Sequence, residues 1–167
     1  NKAQGNAMKA LYLLLPLTSL LAACGATPTT EETVEKLDYI DLSSVELRDR
    51  VKDYWNILTR TEPQYPIAAA KKGLAGCVEL MTIINSEGRA QGYKVTSSYP
   101  KGLFDEAAAQ SLSTWAWLPT NVNVAKQPVL THIRIDFTID SKPVGEKYLK
   151  NCPAGEAFQI TGERRKS

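Results

Sequence analysis

The chain has 167 residues and a formal net charge of +2, and its charged residues are scattered along the sequence. Lys2 and Lys9 precede Cys24 and no acidic residue does, so a chain that begins at Cys24 has no net charge. Nucleic-acid binding depends on a basic patch, so this composition excludes nucleic acid as a partner. The length is sufficient for one modest domain and a tether.

An apolar run from Leu11 to Leu21 follows Met8 and Lys9. About eleven residues are too few to cross a hydrocarbon core of roughly 30 Å as a helix, but they suit the apolar region of a signal peptide. The run ends in Leu21-Ala22-Ala23-Cys24, which resembles the lipobox of bacterial lipoproteins. We therefore predict upstream residues and a lipoprotein signal peptide over residues 1–23. An ordinary secretory signal is the alternative.

The resemblance to a lipobox implies that Cys24 is acylated and becomes the new N-terminus. Several acyl chains anchor a protein stably, so the predicted membrane attachment is through lipid at Cys24. Residues 24–42 are predicted to be this lipidated cysteine and its tether. The protein would face the periplasm, and Gly25 after the cysteine favours the outer membrane.

Two cysteines remain, Cys77 and Cys152. An even pair in an oxidising compartment predicts a disulfide, with two buried free thiols as the alternative.

Residues 43–62 carry the signature of a helix. Ser43 and Glu46 have the spacing of a capping box. Apolar residues then recur at helical spacing, at Leu47, Val51, Tyr54, Trp55 and Leu58. We predict an amphipathic helix that packs on the domain that follows it.

Residues 63–140 contain the signals of a small mixed domain, followed by a tail over residues 141–167. The predicted elements are a short helix from Ala68 to Lys72 ended by Gly73, a strand from Cys77 to Ile84, a turn over Asn85–Gly88, a returning strand around Tyr93–Ser98 and a helix from Asp105 to about Trp115.

The segment Val129–Ile139 alternates strictly between two sets of side chains. Val129, Thr131, Ile133, Ile135, Phe137 and Ile139 form the predicted buried face. Leu130, His132, Arg134, Asp136 and Thr138 form the predicted solvent-facing one. Such alternation is typical of a strand with one buried face.

Taken in order, these residues resemble the C-terminal domain of the TonB family, that of the energy transducer TonB. The resemblance covers residues 63–139 and rests on Tyr65-Pro66, Ala68, Ala70, Gly73, Gly76, Val78, Glu87-Gly88, Val95, Ser97-Ser98, Leu103-Phe104-Asp105, Ala107-Ala108, Trp115, Trp117, Pro119 and Phe137.

The resemblance implies an α+β fold, with an antiparallel sheet of three main strands and helices packed on one face. It also implies a periplasmic domain that binds an extended segment of an envelope protein, such as the TonB box of a TonB-dependent outer-membrane transporter. The segment adds to the sheet beside the last long strand. Here the partner-binding residues would be Leu130, His132, Arg134, Asp136 and Thr138. A homodimer through the same strand is a further alternative, because a free edge can pair with the same edge of a second copy across a two-fold axis.

Two features depart from the TonB pattern. Energy transducers of this family have an uncleaved transmembrane helix with a histidine and a long Pro-rich spacer, whereas here the apolar run has no histidine and the tether is short. We therefore predict a lipid-anchored binding module in transport across the envelope. The alternative is a structural envelope lipoprotein without a transport role, in which the tail from Lys147 to Ile160 covers the edge of the sheet.

Enzyme chemistry has little support in the sequence. The single histidine, His132, alternates with Ile133 and Ile135 on a predicted strand, and no cluster has the spacing of metal ligands. We expect no catalytic residue, no metal and no cofactor.

Overall fold

A computed structural model describes residues 38–139 and 143–162. The predicted leader, Cys24 and most of the predicted tether lie outside the described residues. These described residues form seven strands, four α-helices and a 3-10 helix at Arg48–Arg50. In chain order the elements are β1 (Ile40–Asp41), α1 (Val51–Tyr54), β2 (Trp55–Thr59), α2 (Ile67–Lys72), β3 (Gly76–Ile84), β4 (Ala90–Tyr99), α3 (Asp105–Leu112), β5 (Ala116–Pro119), β6 (Val129–Ile139), α4 (Glu146–Asn151) and β7 (Phe158–Gly162).

The main sheet has the order β1-β6-β3-β4, and β7 also pairs with β6. The three long strands β3, β4 and β6 are antiparallel, whereas the short strands β1 and β7 are parallel to β6. A second, two-stranded antiparallel sheet joins β2 and β5. The predicted α+β class with three main antiparallel strands is confirmed.

The β3–β4 hairpin follows from its turn chemistry. The side-chain oxygen of Asn85 accepts the backbone N–H groups of Glu87 at 3.0 Å and Arg89 at 2.9 Å. Gly88 has a φ of 70°, which a residue with a side chain rarely adopts. The predicted turn is therefore confirmed.

The core lies on one face of the main sheet, under α2 and α3. Alternate residues of β3 and β6 point into the core. Helix α2 contributes one small residue, and helix α3 contributes an apolar stripe. The fully buried side chains of the core are Ala69, Val78, Leu80, Ile84, Phe104, Ala108, Leu112, Trp115, Val129, Ile135 and Phe137. This burial confirms the predicted core face of β6.

Two predicted helices are present with small changes. Gly73 ends α2 in the left-handed conformation, with a φ of 60°. Helix α3 ends at Leu112 rather than near Trp115, because Ser113 and Thr114 donate their hydroxyls to the carbonyls of Gln110 and Ser111. The chain can then turn into β5.

The predicted helix over residues 43–62 is wrong. Ser43 donates its N–H and hydroxyl to the Asp41 carboxylate, at 2.9 and 2.6 Å, instead of capping a helix. These bonds lower the pKa of Asp41. Helical structure is confined to residues 48–54, and β2 follows because the buried Trp55 donates its indole N–H to the Gln127 carbonyl at 3.0 Å. Pairing with β5 therefore overrides local helical periodicity.

The predicted tail contains two elements that the sequence did not reveal, α4 and β7. A disulfide joins Cys77 on β3 to Cys152 after α4, with Cα atoms 5.9 Å apart. Both cysteines are buried. None of the helices in residues 38–139 and 143–162 is long and apolar enough to cross a membrane.

We expect Gly76→Ala to reduce the free energy of unfolding by about 3 kcal/mol. An added Cβ would lie 2.1 Å from the Tyr99 carbonyl oxygen and 2.5 Å from a Phe104 ring carbon. Gly155→Ala is the matched control, since an added Cβ there meets nothing within 4 Å. Denaturant unfolding measures both, and equal stability of the two variants would contradict the packing described here.

We expect Cys152→Ser to reduce the free energy of unfolding by about 2–4 kcal/mol, because the disulfide closes a long loop in the unfolded chain. The two cysteines are separated by 75 residues. Denaturant unfolding of the wild type with and without a reducing agent is the control. An unchanged unfolding midpoint in both comparisons would contradict a stabilising bond.

Candidate functional site

The outer edge of β6, opposite β3, is only partly occupied. Strand β1 pairs with Val129 and Leu130, and β7 pairs with residues 135–139. No strand among the described residues pairs with residues 131–134 on this side. We call this four-residue gap the edge window.

Backbone groups of β6 point into the edge window. The Leu42 N–H donates to the Leu130 carbonyl at 2.9 Å, so Leu130 directs its backbone groups to the outer edge. Backbone direction alternates along an antiparallel strand, so His132 and Arg134 face the same edge while Thr131 and Ile133 face β3. The N–H and carbonyl of His132 and the N–H of Arg134 therefore lie where an added strand would bind.

The side chains of the predicted partner-binding residues do not face solvent, and that expectation is wrong. Leu130, His132, Arg134, Asp136 and Thr138 are all buried or partly buried. Two segments cover this second face of the sheet, residues 43–50 from the N-terminal side and residues 144–156 from the C-terminal side. Alternation predicted the two faces correctly, but it does not show whether segments elsewhere in the chain cover one of them.

Polar contacts attach both covering segments to the second face. His132 Nδ1 lies 2.9 Å from the Ser43 carbonyl oxygen. Arg48 Nη1 lies 2.6 Å from the Glu79 carboxylate. The Arg134 guanidinium binds the Asp136 carboxylate at 2.8 Å and also donates to the Pro153 carbonyl.

Tyr148 of α4 completes this face. It packs against the Cys77–Cys152 bridge, and its hydroxyl interacts with Asp136. Burial, together with the charge of Asp136, raises the pKa of Tyr148 to about 12. The side chain is therefore a neutral phenol at physiological pH, and the contact between α4 and the sheet does not titrate there.

A groove of about 610 Å³ surrounds the edge window. Residues 45–57 form one wall and residues 153–158 the other. Its apolar lining includes Trp55, Ile57, Trp117, Ile133 and Phe158, and its polar lining includes Arg48, Glu79, His132 and Arg134. The volume lies within the usual range for ligand sites, roughly 300–1,000 Å³.

The opposite edge of the main sheet is less suited to strand addition. Strand β4 has no partner on its outer side among the described strands. Its pairing with β3 is interrupted by two register shifts, and Gly92 has a φ of 64°. Bulges and an exposed lysine, here Lys94, are devices that discourage edge pairing.

The lone histidine is engaged in structure rather than chemistry. A carbonyl oxygen only accepts hydrogen bonds, so His132 Nδ1 donates to Ser43. Within residues 38–139 and 143–162, no three His, Cys, Asp or Glu side chains lie together in a group that could hold a metal ion.

Comparison with known proteins adds to this geometry. Residues 61–139 match the family model described as Gram-negative bacterial TonB protein C-terminal. Residues 61–139 form a TonB C-terminal domain. The resemblance inferred from the sequence is therefore confirmed, and the family is a transport-related one rather than a family of enzymes.

This chain is similar to individual TonB proteins over part of its own length. Protein TonB of Pseudomonas aeruginosa is 33% identical over 57 residues, which are 34% of this chain and 17% of that protein. The solution NMR structure of the P. aeruginosa TonB C-terminal domain has a TM-score of 0.47 at 24% identity, covering 62% of this chain and 96% of that one. A structure of the TonB2 protein from Vibrio anguillarum has a TM-score of 0.39 at 24% identity, covering 73% and 94%.

The TonB C-terminal domain supplies the floor of the groove but not its walls. Strand β6 and Trp117 lie within residues 61–139, whereas residues 45–57 and 153–158 lie outside them. Sequence reasoning missed Ile57 and Phe158 as groove residues. The aromatic and β-branched composition of Trp55–Thr59 was the one local signal for β2.

We expect the amides of His132 and Arg134 to exchange with solvent faster than those of Thr131 and Ile133. The first pair points into the edge window, and the second pair is directed toward β3. Residue-resolved hydrogen exchange by NMR measures the four rates in one sample. Equal protection of all four amides would contradict an open edge.

Proposed function

We propose that this chain is an envelope binding module whose TonB C-terminal domain recognises an extended segment of an envelope protein by strand addition. The edge window is the observation that carries this proposal. Main-chain hydrogen bonds supply affinity in this mode of recognition, so an unpaired stretch of β6 backbone is the feature it requires. A TonB box of a TonB-dependent outer-membrane transporter is the partner that the family favours.

The proposed location is the periplasmic side of the cell envelope, with lipid at Cys24 as the anchor. The lipobox-like Leu21-Ala22-Ala23-Cys24 supports this proposal, and Gly25 favours the outer membrane. Residues 24–37 would connect the anchor to β1.

A structural lipoprotein without a transport role is the second candidate, and β7 favours it. Strand β7 covers five residues of the β6 edge, and its Ile160 is buried in the core. The disulfide at Cys152 holds the preceding segment on the second face. In this candidate function, the edge window is too short to receive a partner.

Site-specific crosslinking in intact cells tests the proposed function. A photoreactive residue in place of Val45 stands in the groove wall, at a position whose side chain is 72% exposed. We expect it to capture an outer-membrane transporter, because a segment bound at the edge window passes beside it. Recovery of the transporter segment by mass spectrometry identifies the adduct.

The matched control for Val45 is Ile67, which is 68% exposed but lies on α2, outside the groove. A transporter adduct at Val45 and none at Ile67 supports strand addition. Absence of any transporter adduct at Val45, or equal adducts at both positions, would favour the structural role. Adducts only to a second copy of the chain would indicate the homodimer instead.

A further inference from the structure

We infer that the loop between β5 and β6, residues 120–128, contacts the lipid bilayer and inserts apolar side chains into its headgroup region. We call this segment the β5–β6 loop. The inference rests on the lipid anchor at Cys24 in the proposed function, and it adds a second contact with the membrane that holds that lipid.

The β5–β6 loop presents two valines to solvent. Val122 and Val124 are 79% and 81% exposed, which are the highest values among the large apolar side chains of the described residues. Single exposed apolar side chains are common on soluble proteins, but two at the tip of one loop form a surface that an apolar partner can cover.

The residue between the two valines fixes their outward position. Asn123 is 3% exposed, and its side-chain amide donates to the carbonyls of Tyr54 at 3.2 Å and Gln127 at 3.4 Å. Its side-chain oxygen accepts the Gln127 N–H at 2.8 Å. The loop is therefore held to the domain through Asn123, and Val122 and Val124 on either side of it are directed away from the core.

The chain that comes from the predicted tether joins the domain beside this loop. The Ile40 N–H donates to the Pro128 carbonyl at 2.9 Å, and the Gln127 side chain donates to the Asp38 carbonyl at 3.5 Å. Asp38 is the first described residue, and residues 24–37 separate it from the predicted anchor. A lipid at the far end of this segment therefore pulls on the domain at the β5–β6 loop.

Tyr39 and Lys126 extend the surface with side chains that suit a membrane interface. Tyr39 is 39% exposed and lies between the two residues that contact the loop, and Lys126 is exposed within the loop. A tyrosine combines an apolar ring with a polar hydroxyl and is favoured at the level of the headgroups. A lysine can lay its methylene groups on apolar surface while its ammonium group stays in water.

The charges around the β5–β6 loop cancel, so the apolar side chains must supply the contact. Lys52 and Asp53 line a shallow cleft together with Val122. Lys126 and Asp38 are the exposed charged residues next to Gln127. Two valines bind a bilayer weakly by themselves, but a lipid anchor already concentrates the domain at the surface, and a weak second contact is then sufficient.

The matched control position is Leu149 on α4, which is 59% exposed. The Cys77–Cys152 disulfide attaches the end of α4 to β3 where Cys77 pairs with Asp136. The β5–β6 loop enters β6 at Val129 instead. These two positions are about 23 Å apart along the strand, so Leu149 and the loop belong to opposite ends of the main sheet.

Tryptophan substitutions test the surface on the full-length protein purified from the cell envelope. Val124→Trp and Leu149→Trp each place one reporter at an exposed apolar position. In vesicles of phosphatidylethanolamine and phosphatidylglycerol that contain a brominated lipid, we expect quenching of Val124→Trp to be about twofold stronger or more. The native tryptophans are buried and give both variants the same background; they are Trp55, Trp115 and Trp117.

The outcomes separate this inference from the lipid anchor. Protein that floats with the vesicles but shows equal quenching at the two positions overturns the bilayer contact and leaves the anchor standing. Stronger quenching of Val124→Trp in protein whose mass shows no lipid supports the contact and overturns the anchor. Protein that does not float with the vesicles overturns both.

A second copy of the chain is the other occupant that the measurement can reveal. If it covers the loop, the Val124→Trp emission is already blue-shifted in detergent, depends on protein concentration and is not quenched in vesicles. That result would overturn the bilayer contact.

Aspartate substitutions assign the contact to the two valines. We expect Val122→Asp and Val124→Asp together to lower the quenching of a Tyr39→Trp reporter to the level of Leu149→Trp, because a carboxylate is costly to remove from water. Leu149→Asp is the control and is expected to leave the Tyr39→Trp signal unchanged. Equal losses in the two cases would overturn the assignment to the valines.

The cancelled charges around the loop give a further test. We expect the quenching of Val124→Trp to be the same in low and high salt, and also when phosphatidylglycerol is omitted from the vesicles. Loss of the quenching under either condition would show an electrostatic contact and would overturn the apolar one.

Discussion

The alternation of side chains and backbone groups along β6 is the constraint on which the rest of this structure depends. Odd-numbered side chains such as Ile133 and Ile135 fill the core, whereas even-numbered ones point to the second face. Backbone groups alternate in the same register, toward β3 and toward the outer edge. A shift of one residue would exchange the two side-chain faces and also the two backbone directions. Core packing therefore also fixes which amides point to the outer edge.

The outer edge of β6 is protected at both ends and open in the middle. Exposed edges invite unwanted pairing, and natural sheets cover or shorten them. Here β1 and β7 provide the cover, and the disulfide at Cys152 holds the segment that leads into β7. A segment added here, as we propose, would form only a few main-chain bonds with β6.

The walls are contributed by segments that flank the TonB C-terminal domain. Residues 45–57 and 153–158 lie on either side of the matched region in sequence, yet both line one groove beside the same strand. In this chain the domain supplies the floor of the groove, and the flanking segments supply its walls.

The sequence by itself determined the elements whose signals are local. It predicted the Asn85–Gly88 turn, the end of α2 at Gly73 and the full extent of Val129–Ile139, because turn chemistry and two-residue alternation act between near neighbours. Only the tertiary structure decided that β2 replaces a helix and that β1 and β7 leave a gap between them. These features depend on partners such as Gln127 for Trp55, 72 residues away, and short strands gain their stability from such distant contacts rather than from their own composition.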